Sequence, residues 1–247
     1  MGRGLFYFPG SRACPYWFAM SYYPICLELK GRKCLVIGGG EIAGHKVNSL
    51  LACEAEVLVI SPEVTPGLKE LIDQKKVTYL PKKYDEKDLD QAFLVIAATN
   101  RPEVNARVYR DASRRNILVN VVDCPKYCNF IVPALVKRGD LLLSISTSGK
   151  SPALAKKIRE KLEREFGEEY EPFLKILGEL RENIHRQVKD PSLRRTLVHQ
   201  ILDWDILDLL KKGELKSVQE KKLTILEKLG LQSWETSLLN SRVFPDK

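Results

Sequence analysis

Short apolar runs punctuate the first half of the chain: Lys33 to Ile37, Glu56 to Ile60, Val77 to Leu80, Phe93 to Ala98 and Leu118 to Val122. Runs of this length read as buried strands. The first leads through a glycine turn into a helical spacing of Val47, Leu50 and Leu51, and the fourth is followed by a helix predicted over Glu103 to Arg115. Strands alternating with helices predict an α/β fold built on a Rossmann-like, doubly wound parallel sheet.

Beyond this sheet the pattern changes. Phe130 to Val136 and Leu141 to Ile145 are β-rich runs joined by Lys137-Arg138-Gly139-Asp140, which predicts a β-hairpin. Ser151 and Pro152 then open a helix to about Phe166, as N-cap and first helical residue. From Tyr170 to Leu231 the period is helical, with Phe173, Ile176, Leu177, Leu180 and Ile184 on one face and breaks at Asp190-Pro191 and Lys212-Gly213. The expected organisation is an N-terminal extension over residues 1–19, a dinucleotide-binding domain over 20–129, a hairpin and helix dimerisation segment over 130–168, a small helical domain over 169–232 and a tail over 233–247. The hairpin's apolar strands need a covering partner, and a second copy of the chain would supply one.

Composition narrows the class modestly. Hydrophobic residues make up 44% of the chain, and no segment is apolar for the roughly 18 residues that a membrane span needs. The formal charge of +8 suits an anionic ligand, while the helical tail offers no recognition helix, so neither a membrane nor a nucleic acid is expected as partner. The six cysteines form no CxxC framework or zinc-ligand spacing, which points to reduced thiols and a cytoplasmic protein. Residues 1–19, with scattered aromatics and two prolines, lack the features of a secretory signal and are expected to be a disordered tail or an over-extended start.

The candidate chemistry gathers at the ends of the strands. Gly38, Gly40 and Ala43 fill a G-x-G-x-x-A pattern between strand and helix, where Gly38, Gly39 and Gly40, with Glu41 and Ile42 opening the helix, would receive a pyrophosphate. The second strand ends in Ser61-Pro62, where many NAD enzymes carry an acidic residue for the ribose; Glu63 is the nearest carboxylate, and no arginine follows to greet a 2′-phosphate. This favours NAD over NADP. Thr99 and Asn100, with Asn105, either reach the cofactor or cap the following helix. Asp123, directly after the fifth strand, points chemistry at the same crevice, although aspartate is also common in turns. Ser146, Thr147, Ser148 and Lys150 form a hydroxyl-rich helix entry suited to carboxylates; the triplet Gly149-Lys150-Ser151 is not a P-loop, because Ser144 stands where its first glycine would be.

The conjunction of Tyr22-Tyr23-Pro24-Ile25, Gly31-Arg32-Lys33, Gly38-Gly39-Gly40, Lys46, Ala98-Thr99-Asn100, Asn120-Val121-Val122-Asp123, Pro125, Cys128, Phe130, Pro133 and Ser148-Gly149-Lys150-Ser151-Pro152 resembles the precorrin-2 dehydrogenases. These include the bifunctional precorrin-2 dehydrogenase/sirohydrochlorin ferrochelatases and the corresponding half of siroheme synthase. The resemblance implies an oxidoreductase that uses NAD to convert precorrin-2, a polycarboxylate tetrapyrrole, into sirohydrochlorin in sirohaem (porphyrin-type) biosynthesis. It also implies a homodimer and, in bifunctional members, a lyase step that inserts Fe²⁺ or Co²⁺ as substrate in the same cleft. Asp123 would be the catalytic residue, accepting a proton in either step, and Ser146, Thr147, Ser148 and Lys150 would hold substrate carboxylates. No protein metal site is expected; the histidines His45, His185 and His199 all lie away from Asp123 in the sequence. A different class of reading is an NAD-sensing module that binds without turnover, which would need no carboxylate at position 123.

Overall fold

The computed structural model describes residues 22–202 and 205–228. The expectations for residues 1–19 and 233–247 lie outside the described residues. The chain divides into two compact units, residues 1–132 and 133–247.

In the first unit, β1 (Lys33–Ile37), β2 (Glu56–Ile60), β3 (Thr78–Leu80), β4 (Leu94–Ala97) and β5 (Leu118–Val121) form one parallel sheet in the order β3-β2-β1-β4-β5. Successive side chains along each strand enter opposite cores. Cys34, Val36, Val57, Val59, Leu94 and Ile96 pack with Ala43, Val47 and Leu50 of helix α1 (Glu41–Leu51) and Leu68 of α2 (Pro66–Asp73). Leu35, Ile37, Ile60, Val95, Ala97, Val119 and Val121 pack with Val108 and Ala112 of α3 (Pro102–Arg114). A strand covered on both faces has no polar side to show, which is why the interiors of β1, β2 and β4 are apolar on both faces. The helix α2 begins Pro66-Gly67, a pair that reads locally as a turn, so its existence is not evident from the sequence.

The strand order reverses at β1. The chain runs outward from β1 to β3, then crosses back to β4 on the other side, so the loops leaving β1 and β4 diverge and open a crevice at the carboxyl ends of the strands. On the far side, α3 is anchored by Asp111, which is 2% exposed and accepts from the Tyr84 hydroxyl at 3.1 Å and from Arg114 at 2.6 Å. Burial, and then the neighbouring Asp111 charge, push the Tyr84 phenol well above its ordinary pKa, so it stays a donor.

Phe130 is not part of the hairpin, contrary to expectation, because residues 128–130 fold back along the free edge of β5. Asn129 donates its backbone N–H to the Val119 carbonyl at 3.0 Å, its side-chain oxygen accepts from the Val119 N–H at 2.7 Å, and its amide donates to the Ile117 carbonyl at 2.9 Å. Asn120 reaches the Phe130 carbonyl at 3.1 Å. Asn129 thus satisfies the Ile117 and Val119 groups of an edge that would otherwise be unpaired there.

In the second unit, β6 (Ala134–Arg138) and β7 (Leu141–Ile145) form the antiparallel hairpin, with Arg138 opposite Leu141 and Gly139 at φ +55° in the turn. Helix α4 (Pro152–Glu165) follows, its N-cap Ser151 accepting from the Leu154 N–H at 3.2 Å. Helices α5 (Tyr170–Gln187), α6 (Pro191–Leu202), α7 (Ile206–Lys212) and α8 (Leu215–Lys228) share a core that includes Phe173, Leu180, Ile184, Ile206, Leu210 and Val218. The interruptions fall at Pro191, which opens α6, and at Gly213, whose φ of +73° ends α7.

Replacing Asn129 by alanine removes both side-chain bonds to the β5 edge. The variant should lose about 1–3 kcal/mol of stability, measured by urea unfolding, since the Val119 N–H and Ile117 carbonyl lose their partners. A loss below about 0.5 kcal/mol, typical of a neutral surface substitution, would show that the edge is not held by this residue.

Candidate active site

The crevice is framed by four strand ends. Gly38, Gly39 and Gly40 follow β1, Ser61, Glu63, Val64 and Thr65 follow β2, Ala98, Thr99 and Asn100 follow β4, and Val122 and Asp123 follow β5; Glu41, Ile42 and Pro102 complete the lining.

The glycine turn is shaped by close approach. At Gly38, φ is +127° and a Cβ would lie 2.4 Å from the Ala98 carbonyl oxygen; at Gly39 it would lie 1.9 Å from the Glu63 carbonyl oxygen. Neither neighbour is a flexible side-chain tip, so only glycine fits. Gly38 N–H bonds to Ile60, Ala98 N–H to Ile37 and Thr65 N–H to the Gly39 carbonyl, at 2.9, 2.8 and 2.9 Å, which knits the β2 and β4 exits to the turn. Gly40 differs. A Cβ there would meet nothing within 4 Å, and the residue caps α1 with extended backbone and no side-chain bond. The open space lies at a helix N-terminus, where free N–H groups and the helix dipole favour an anion, so the turn fits a dinucleotide's pyrophosphate.

Thr99, which lines the crevice, and Asn105, which does not, bond to each other. The Thr99 hydroxyl donates to Asn105 Oδ1 at 2.7 Å, and Asn105 Nδ2 returns a bond to the Thr99 carbonyl at 3.0 Å. Asn105 is 8% exposed and does not line the crevice. The N-cap of α3 is Arg101, not Thr99 or Asn100, because the Thr99 hydroxyl turns to the Arg101 N–H at 3.1 Å and holds the loop one residue longer. Pro62 is also outside the lining, its carbonyl accepting from the Tyr79 hydroxyl at 3.3 Å. Glu63, Val64 and Thr65 enter instead, because the bond from Thr65 to Gly39 folds the β2 exit inward. Nothing local in the sequence signals that long-range bond.

Asp123 sits at the third position of a turn closed by the Cys124 N–H to the Val121 carbonyl at 3.2 Å, with φ +56°. Positive φ is uncommon for side chains other than glycine, and aspartate is among the few that accept it. Its carboxylate is exposed. The turn is fixed by Cys128, whose sulfur accepts from the Val121 N–H at 3.2 Å and donates to the Val121 carbonyl at 3.3 Å and the Cys124 carbonyl at 3.4 Å. Burial raises the Cys128 thiol above its ordinary pKa, against the Val121 N–H, so it remains a neutral linker.

Ser146, Thr147, Ser148 and Lys150 belong to the second unit, between β7 and α4. Ser146 Oγ accepts from the Ser148 N–H at 3.0 Å and Thr147 Oγ1 from the Ser151 N–H at 3.1 Å. Both hydroxyls therefore keep their hydrogens for another acceptor. Among the described residues, no group of three or more His, Cys, Asp or Glu side chains could hold a metal ion, and no helix is long and apolar enough to cross a membrane.

Comparison with known proteins agrees with this geometry. Residues 25–134 match a family model described as NAD(P)-binding, and residues 138–165 one described as sirohaem biosynthesis protein central. Siroheme synthase of Photobacterium profundum is 36% identical over 222 residues, covering 90% of this chain and 47% of that protein. Siroheme synthase of Baumannia cicadellinicola is 34% identical, covering 82% of this chain and 44% of its own. The chain thus spans about half the length of these curated relatives. A solved structure described as SirC, precorrin-2 dehydrogenase, aligns with a TM-score of 0.70 and 33% identity over 84% of this chain and 100% of that one. The chain belongs to the same family as that precorrin-2 dehydrogenase.

Proposed function

We propose that this protein oxidises precorrin-2 to sirohydrochlorin with NAD⁺ as oxidant, a step in sirohaem biosynthesis. The observation that carries the reading is the convergence, in one crevice, of a glycine turn fit for pyrophosphate with the exposed carboxylate of Asp123, in a chain akin to a precorrin-2 dehydrogenase.

In this reading Gly38, Gly39 and Gly40, with the first N–H groups of α1, hold the pyrophosphate, and Ser61, Thr99 and Asn100 bound the space for the rest of the cofactor. When bound, the dinucleotide supplies the acceptor for one hydride. The substrate loses that hydride together with a proton, and the Asp123 carboxylate, held by its turn, takes up the proton. Thr99 and Asn105 are positioning residues that keep the β4 exit open. The free O–H groups of Ser146 and Thr147, with Ser148 and Lys150, are suited to the substrate's carboxylates. Insertion of Fe²⁺ or Co²⁺ as a second substrate would place a related demand on Asp123, because pyrrole N–H protons must then leave. The free cysteines Cys26, Cys34, Cys53, Cys124 and Cys128 support a reducing, cytoplasmic setting.

The same reading includes a homodimer through the hairpin. Leu135 and Leu142 are 42% and 45% exposed on one face of β6 and β7, alternating with Lys137 and Ser144 on a small two-stranded sheet.

Anaerobic incubation with precorrin-2 and NAD⁺ should yield NADH and sirohydrochlorin in equal amounts. Asp123→Asn should keep the turn, since asparagine also accepts positive φ, while lowering that rate by about a hundredfold or more and leaving NAD⁺ affinity nearly intact. NAD⁺ binding without any NADH formation by the native protein would favour the sensing module. Gly40→Asp should separate fold from binding: aspartate is a good N-cap, so thermal stability should hold or rise slightly, whereas NAD⁺ affinity should fall by about tenfold or more as a carboxylate enters the anion site. Unchanged calorimetric affinity would remove the glycine turn from the cofactor site. Leu142→Glu should shift sedimentation from dimer to monomer, and a dimer of undiminished stability would place the interface elsewhere.

A further inference from the structure

We infer that Glu63 is the residue that selects NAD⁺ over NADP⁺, replacing the carboxylate that Ser61 leaves out at the end of β2. The inference rests on the proposed dinucleotide reading and adds a specificity role to it.

In doubly wound sheets the adenosine ribose lies at the end of the second strand, where an acidic side chain accepts from the ribose hydroxyls and an arginine accommodates a 2′-phosphate. Here Ser61 occupies the first position after β2 and is 8% exposed, a neutral side chain that sets no charge against an extra phosphate. Glu63 is the carboxylate that lines the crevice from the same loop. Its backbone is fixed on both sides. The Tyr79 hydroxyl donates to the Ser61 and Pro62 carbonyls at 3.0 and 3.3 Å, and the Glu63 carbonyl presses against Gly39 so closely that no Cβ fits between them. Beyond it, the Thr65 N–H bonds to the Gly39 carbonyl at 2.9 Å. Loop and glycine turn therefore form one unit, and a substitution at the exposed Glu63 side chain leaves that unit intact.

The surrounding charge points the same way. The lining contains Glu41, Glu63 and Asp123 and neither lysine nor arginine. None of the three carboxylates forms an ion pair or hydrogen bond among the described residues. A 2′-phosphate brings roughly two further negative charges. Beside Glu63 it would meet a carboxylate and, within the crevice lining, no compensating cation, whereas a ribose with both hydroxyls free offers donors to that carboxylate.

The test is calorimetric titration of the wild-type protein, Glu63→Gln and Glu41→Gln with NAD⁺ and NADP⁺ at low and high salt. Wild type should prefer NAD⁺, and Glu63→Gln should shrink the ratio of the two affinities by at least about tenfold, through weaker NAD⁺ and tighter NADP⁺ binding. Glu41→Gln should move both affinities together and leave the ratio unchanged. Added salt should narrow the preference in wild type more than in Glu63→Gln, because screening acts on the repulsion. An unchanged ratio in Glu63→Gln, or an equal change in Glu41→Gln, would overturn the assignment while leaving the dinucleotide reading in place. Failure of the wild-type protein to bind either dinucleotide would overturn that reading and the assignment with it.

Discussion

Everything at the candidate site depends on how closely the backbone leaving β1 approaches its neighbours. All five strands point the same way, so five chain segments emerge at one end of the sheet, and the four that frame the crevice compete for space. The competition is resolved at Gly38 and Gly39, where the missing Cβ atoms let the carbonyls of Ala98 and Glu63 come within distances no side chain permits. The resulting bonds from Gly38 to Ile60, Ala98 to Ile37 and Thr65 to Gly39 make the loops after β1, β2 and β4 interdependent. A rigid floor follows from steric permission at two residues, before any ligand is considered.

On that floor the charges divide by source. Positive potential comes from the N-terminus of α1, through backbone groups that cannot titrate, while the lining's ionisable side chains are all acidic. An anion would thus meet the helix N-terminus at a fixed place, and among the described residues no salt bridge ties up the carboxylates around it. The same division separates the two kinds of anion in the proposed reaction. The crevice lining itself offers neither lysine nor arginine to a polycarboxylate.

The architecture was legible where a local pattern carries a local consequence. The runs Lys33–Ile37 and Glu56–Ile60 are strands over their whole length, the glycine pattern marks the turn, Ser151-Pro152 opens α4, and Pro191 and Gly213 mark the helix breaks. What escaped depends on bonds between residues far apart in the chain. Phe130 looks like a strand residue, yet Asn129 ties its neighbourhood to β5 through Val119 and Ile117. Asn105 looks like a polar ligand group near a crevice, yet Thr99 engages both ends of its amide. Glu63 looks like a loop residue displaced from the expected position, and its entry follows from contacts with Gly39 and Tyr79 that no local spacing encodes.

Asp123 shows why the two explanations of a strand-end aspartate need not compete. Its turn demands a residue that tolerates φ of +56°, for which glycine would be easiest and aspartate or asparagine next. In the proposed reaction the proton acceptor is a carboxylate, which glycine and asparagine lack. Aspartate satisfies both demands, and the backbone conformation fixes the direction in which the side chain leaves the strand end. Cys128 then holds the turn from behind with a neutral thiol that bonds both polar groups of Val121. In that reaction the carboxylate takes its orientation from the backbone and from a half-buried sulfur, and among the described residues its oxygens form no hydrogen bond or ion pair.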